Sequence, residues 1–160
     1  MVDFDDTQDR DDEQDDDRDA APCLPIGGAP FTGPCIWAVG GGKGGVGKSM
    51  VTSSLAVALA GRGKRVVLVD ADLGGANLDT VFGITRPPRT LSEFLAGEVP
   101  RLADVLCPTS VPNLRIVSGS NALLSMANPR HSQKEKFLRH LRTLAVDHVL
   151  TRADVRQDRR

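Results

Sequence analysis

The stretch CIWAVGGGKGGVGKSMVTSSLAVALA, residues 35–60, decides the fold. CIWAV (35–39) is a short apolar run flanked by glycine, the pattern of a strand buried in a parallel sheet. It enters GGGKGGVG (40–47), after which Val51, Leu55, Ala58 and Leu59 fall at helical spacing until Gly61 and Gly63 stop the helix. GKGGVGKS, from Gly42 to Ser49, satisfies G-x-x-x-x-G-K-S/T between a strand and a helix, the context a phosphate-binding loop requires. Glycines let backbone N–H groups turn inward around anionic oxygens, and the helix start adds its positive end. Lys48 then reaches β- and γ-phosphates, and Ser49 offers a hydroxyl to magnesium. The expected phosphate cradle is therefore Gly42, Lys43, Gly44, Gly45, Val46, Gly47, Lys48, Ser49 and Met50.

Outward from the loop, RVVLV (65–69) reads as a second buried strand ending at Asp70, and it opens the segment VDADLGGANLD (69–79). The carboxyl edge of a parallel sheet faces the ligand, so Asp70 and Asp72 are candidate site residues. Thr90 with Glu93 makes a capping box that starts a helix running to about Gly97, and a short helix covers 101–106. LRIVS (114–118) is a third strand. Asn128-Pro129 begins a helix whose stripe is Phe137, Leu138, Leu141 and Leu144, and AVDHVL (145–150) is a fourth strand. Alternating strand and helix specify an α/β fold, a parallel sheet with helices on both faces joined by right-handed crossovers. Arg130, Lys134, Lys136, Arg139 and Arg142 read as a solvated helix face, and His131 and His140 as surface residues.

The formal net charge of −1 hides two unlike parts. Residues 1–20 hold ten Asp and Glu13 against Arg10 and Arg18, a net of −9, and the other 140 residues carry +8. Such a segment repels itself, so 1–34 is expected to be a disordered acidic tail and Pro/Gly-rich leader. Aromatic residues are 4% with no Tyr, too few for a base-stacking nucleic-acid surface. No stretch approaches the roughly 18 apolar residues of a membrane span, and the N-terminus has no signal-peptide pattern, so the expected compartment is cytoplasmic. Cys23, Cys35 and Cys107 show no C-x-x-C spacing and are read as buried or incidental thiols rather than a disulfide framework or metal site.

Lys43 turns the loop into K-G-G-V-G-K-S, and with it the sequence resembles the MinD/ParA family of P-loop ATPases, which carries this deviant Walker A motif. A-N-L-D and the segment from Ser125 to Leu150 look most like the branch holding the flagellar-number regulators. The resemblance covers residues 35–150 and implies the N-terminal half of a P-loop NTPase domain that binds ATP and Mg2+. It implies that Lys43 crosses a nucleotide-sandwich homodimer to the partner's phosphates, a charge delivered only in the dimer. By the same resemblance Asp72 orients or deprotonates the attacking water, and Asp70 joins Ser49 around magnesium. Catalytic roles thus fall to Lys43, Lys48 and Asp72.

Two departures shape the functional expectation. Met50 stands where many relatives have a second Thr, leaving its backbone N–H to serve the phosphates. After Leu150, where the family pattern calls for an acidic Walker B residue, the chain reads TRADVRQDRR, taken as a non-family hydrophilic tail over 151–160. The expectation is a truncated or frame-shifted ATPase with impaired hydrolysis. Its family role would be a nucleotide-dependent dimerisation switch for positioning flagella, division sites or chromosomes, with a regulatory protein partner. DNA or membrane binding belongs to longer relatives and has no support in these residues. Two alternatives stay open, an iron-sulfur carrier ATPase and an inert nucleotide-binding fragment.

Overall fold

A computed structural model describes residues 33–41, 45–72, 78–119 and 130–154. The acidic tail, Gly42 to Gly44, and the expected helix start at Asn128-Pro129 lie outside the described residues. Among the described residues ten elements follow in order: β1 (Cys35–Gly41), α1 (Lys48–Gly61), β2 (Val66–Asp70), α2 (Leu78–Val81), α3 (Leu91–Ala96), a 3-10 turn (Leu102–Val105), β3 (Cys107–Pro108), β4 (Leu114–Val117), α4 (His131–Arg142) and β5 (His148–Asp154). The sheet order is β1-β5-β2-β4-β3. β1, β5, β2 and β4 run parallel, and the two-residue β3 is antiparallel to β4.

Side chains alternate across a strand, so β2 serves two cores at once. Val67 and Val69 face Leu91, Phe94 and Leu95 of α3, Leu102 and Val105 of the 3-10 turn, and Leu141 of α4. Val66 and Leu68 face Ala56 and Ala60 of α1, Leu78 of α2 and Leu150 of β5. The α/β fold with helices on both faces is thus observed. The capping box is observed as well: the Glu93 carboxylate accepts the Thr90 amide at 2.6 Å and the Thr90 hydroxyl at 2.9 Å.

Three local expectations are corrected. Along α1 the fully buried face is Lys48, Thr52, Ser53, Ala56 and Ala60, while of the expected stripe Leu55 and Leu59 pack partly buried against the same core and Val51 lies 58% exposed. Small side chains let the helix backbone approach the strands, and the Thr52 and Ser53 hydroxyls are satisfied by the Lys48 and Ser49 carbonyls at 2.6 and 2.7 Å. Cys35 is disulfide-bonded instead of a thiol, whereas Cys107 is the buried free thiol expected, and burial pushes its pKa upward.

The third correction concerns β5, which starts at His148 and continues through Asp154 instead of ending at Leu150. Its start is set by Asp147, whose carboxylate takes the Arg65 amide at 2.7 Å and the Arg65 guanidinium at 2.8 Å. Its continuation is set by pairing on both sides, with Thr151 and Arg152 opposite Ala38 and Val39 of β1 and Val69 and Asp70 of β2. Polar residues can extend a central strand when such partners exist, and here the Thr151 hydroxyl also donates to the Trp37 carbonyl at 3.2 Å.

His140 is more than a surface residue. Its ring meets Phe94 edge-on at 5.0 Å, and its Nδ1 accepts the Leu102 amide at 3.5 Å, which requires that nitrogen unprotonated. Burial, then Lys136 and Arg139, hold its pKa below the ordinary 6.5. A depressed histidine pKa contributes stability that is whole above 6.5 and is lost as the pH falls through the lowered folded-state value. Melting midpoints should therefore drop below pH 6.5 more steeply for the native chain than for His140→Gln. Burial lowers His148 as well, so the slope should shrink without vanishing. Equal slopes would remove His140 from this role.

Candidate functional site

The sequence of β1 ends in glycines because the chain must turn sharply into α1. Gly45 and Gly47 sit at φ 78° and 86°, left-handed values that a side chain at either position would strain. Gly47 caps α1 with no side-chain hydrogen bond, which leaves the first-turn amides directed out of the helix start. Val46 and Met50 are exposed, and Lys48 is buried, with its stem against the end of β1: a Cβ on Gly41 would lie 3.5 Å from Lys48 Cδ. Amide donors, the helix dipole and a lysine stem thus converge at the carboxyl edge of the sheet.

Asp70 lies beside this loop at the end of β2, in register with Arg152 on β5. Leu68 and Leu150 both face α1, so by the period of two Asp70 and Arg152 continue that same face. Arg152 Nη1 is 3.2 Å from Asp70 Oδ1, and Arg152 Nη2 is 2.8 Å from Asp72 Oδ2. All three side chains are at least nine-tenths buried. Asp70 is bonded further: Oδ1 accepts the Asp72 amide at 3.3 Å and Oδ2 accepts the Leu78 amide at 3.0 Å. Nearby, Asp79 Oδ2 accepts the Ser118 hydroxyl at 2.8 Å, tying α2 to the end of β4.

Of the residues singled out from sequence, the structure brings Gly45, Val46, Gly47, Lys48, Ser49 and Met50 together at the start of α1, with Asp70 and Asp72 at the end of the neighbouring β2. Lys43 falls outside the described residues. Arg152 was missed, because a strand read as ending at Leu150 leaves it in a tail. The available signal was the alternation continued two residues past Leu150, which sets Arg152 on the α1 face.

The carboxylates as placed do not fit a magnesium site. Mg2+ demands near-ideal octahedral oxygen geometry and dehydrates reluctantly. Here both oxygens of Asp70 are engaged by donors, and a guanidinium already bridges the two acids. Two unit charges about 4 Å apart repel by roughly 4 kcal/mol at an effective dielectric near 20, and a dication doubles this. Among the described residues no group of three His, Cys, Asp or Glu is positioned to hold a metal ion.

The ParA family, described as NUBPL iron-transfer P-loop NTPase, matches residues 35–143. Antiactivator FleN of Pseudomonas aeruginosa is 45% identical over 99 residues, 61% of this chain and 35% of that protein. An iron-sulfur cluster carrier protein of Aquifex aeolicus is 51% identical over 59 residues, 37% of this chain and 16% of that protein. Among solved structures, the septum site-determining protein MinD of Pyrococcus horikoshii, complexed with Mg-ADP, superposes with a TM-score of 0.65 at 32% identity. That match covers 74% of this chain and 48% of that one. The chain spans less than half the length of each of these relatives.

Breaking a buried ion pair by removing one partner leaves an uncompensated charge, so Arg152→Gln should lower stability by about 3 kcal/mol, read by denaturant unfolding. Arg152→Lys should recover part of this, since one ammonium cannot bridge two carboxylates as a planar fork does. A change below about 0.5 kcal/mol for Arg152→Gln would show that the bridge is not held in solution.

Proposed function

We propose, because the chain belongs to the ParA family of P-loop NTPases, that it binds ATP at the loop from Gly42 to Ser49 and acts as a MinD-type nucleotide switch. The observation that carries this reading is the left-handed pair Gly45 and Gly47 feeding α1, with Lys48 folded back against the end of β1. The loop amides and the helix start take the phosphate oxygens, and Lys48 neutralises the β/γ end. Met50 contributes its backbone amide only, its side chain being 74% exposed.

Lys43 is assigned to the partner's nucleotide in a homodimer, and Asp72 to the attacking water. While Asp72 Oδ2 is bonded to Arg152 at 2.8 Å that oxygen is withheld from water, which supports weak or absent hydrolysis. Magnesium is given no place on Asp70 in this reading, and no step runs through it. The septum site-determining protein MinD and a flagellum site-determining protein of Helicobacter pylori among the relatives support a role in placing a cellular structure; a regulatory protein partner and a cytoplasmic compartment belong to the same proposal. Among the described residues no helix is long and apolar enough to cross a membrane.

A second reading, an iron-sulfur carrier ATPase, is favoured by the printed description of the family and by the Aquifex aeolicus relative. The match to FleN extends over 99 residues against 59 for the carrier. Cys35 is disulfide-bonded and Cys107 buried, so neither presents a ready thiolate. Anaerobic reconstitution with iron and sulfide should give no cluster absorbance; a stable cluster would reverse the order of the two readings.

Titration with a fluorescent ATP analogue should show saturable binding to the native chain. Lys48→Ala should weaken it at least about tenfold, because the amide cradle remains while the charge is lost. Equal affinities would sink the phosphate-loop assignment. Phosphate release from ATP should stay at background.

A further inference from the structure

Among the described residues at the site, the nucleotide reading leaves the cation Arg152 without a task. It stands on the central strand, on the face that carries α1, with a guanidinium that bridges Asp70 and Asp72 at 3.2 and 2.8 Å. Its side chain is 8% exposed, and those of the two acids are 1% and 8% exposed. A pair of acids at the carboxyl edge of a sheet, beside a phosphate-binding loop, is where a divalent cation would be expected to be anchored. In this chain the guanidinium of Arg152 bonds both acids at that place.

We propose that Arg152 is a built-in cation that replaces the protein-anchored divalent ion, so that nucleotide binding at this site is indifferent to magnesium. The inference deepens the nucleotide-binding reading and rests on it. The positive charge at this edge of the sheet then comes from Lys48 at the start of α1 and from Arg152 on the two acids, both held by the chain itself. Unlike a bound metal, the guanidinium cannot be chelated away. It is also held by two acids at once, so a competing dication must break two charge-assisted bonds and then share the site with the displaced guanidinium. The same bridge withholds Asp72, so the site holds nucleotide without turning it over.

Three measurements test this. Electron paramagnetic resonance of Mn2+ titrated into the nucleotide-free chain should show the same metal binding for the native chain and for Asp70→Asn, any weak binding belonging to the carboxylates of residues 1–20. Bound Mn2+ that Asp70→Asn removes would overturn the proposal. Affinity for a fluorescent ATP analogue should differ less than twofold between excess magnesium and excess EDTA, and tightening of tenfold or more by magnesium would overturn it. In Arg152→Gln, magnesium should tighten binding at least tenfold, and indifference in a folded variant would overturn the assignment to Arg152. Where that variant does not fold, the two measurements on the native chain decide. Failure of the analogue to bind in either condition defeats the nucleotide reading instead, and the Mn2+ spectrum then decides whether Arg152 excludes metal.

Discussion

Strand β5 hydrogen-bonds to β1 on one side and to β2 on the other, and that double pairing sets the distance between the phosphate loop and the acids. Gly41, the last residue of β1, is in register with Asp154, and Asp70, the last of β2, with Arg152. Because parallel strands end together at one edge, the loop after β1 and the acidic turn after β2 open on the same side of the sheet. The far end is pinned by Asp147, which takes both the amide and the guanidinium of Arg65 and whose own carbonyl accepts the Cys35 amide at 2.9 Å. A slip of one residue in β5 would turn Arg152 away from Asp70 and send Leu150 out of its core.

The two faces of the sheet solve different packing problems. On the α3 and α4 side, large residues such as Phe94, Leu102 and Leu141 fill the space between strand and helix, and Lys136 lays its ammonium 4.4 Å above the Phe94 ring. Gln133 and Lys136 also donate to the carbonyls of Leu95 and Phe94, so the polar side of α4 near α3 is spent on tertiary bonds. On the α1 side the close contact is made by Ala56, Ala60, Thr52 and Ser53. A helix that must present its first turn at the sheet edge gains from lying close to the strands, and small residues permit it.

Arg152 joins stability to chemistry. A buried pair of carboxylates needs a counter-charge, and a guanidinium bridging both is a geometrically favourable one. The same bridge takes the hydrogen-bonding capacity that water or metal chemistry would use. The structure thus resolves an electrostatic demand of its own fold with a residue that closes the acids to a dication.

The loop, the helix behind it, the strand ending in Asp70 and the capping box at Thr90 were legible in the sequence because each is a local signal: glycine conformation, hydrophobic runs, or a hydroxyl three residues from a carboxylate. The buried face of α1 was legible only in part: Leu55 and Leu59 pack against the sheet as their spacing implies, but the fully buried positions went to Thr52, Ser53, Ala56 and Ala60 and not to Val51. The polar half of β5 was hidden for a related reason. Thr151 and Arg152 look like tail residues until strands on both sides satisfy their backbone and two acids satisfy the guanidinium. By itself the sequence determined that an anion-binding loop sits between a strand and a helix in an α/β chain, because that depends on neighbours along the chain. Only the tertiary structure decided which charge meets Asp70 and Asp72, because residues 82 and 80 positions apart come together through strand register alone.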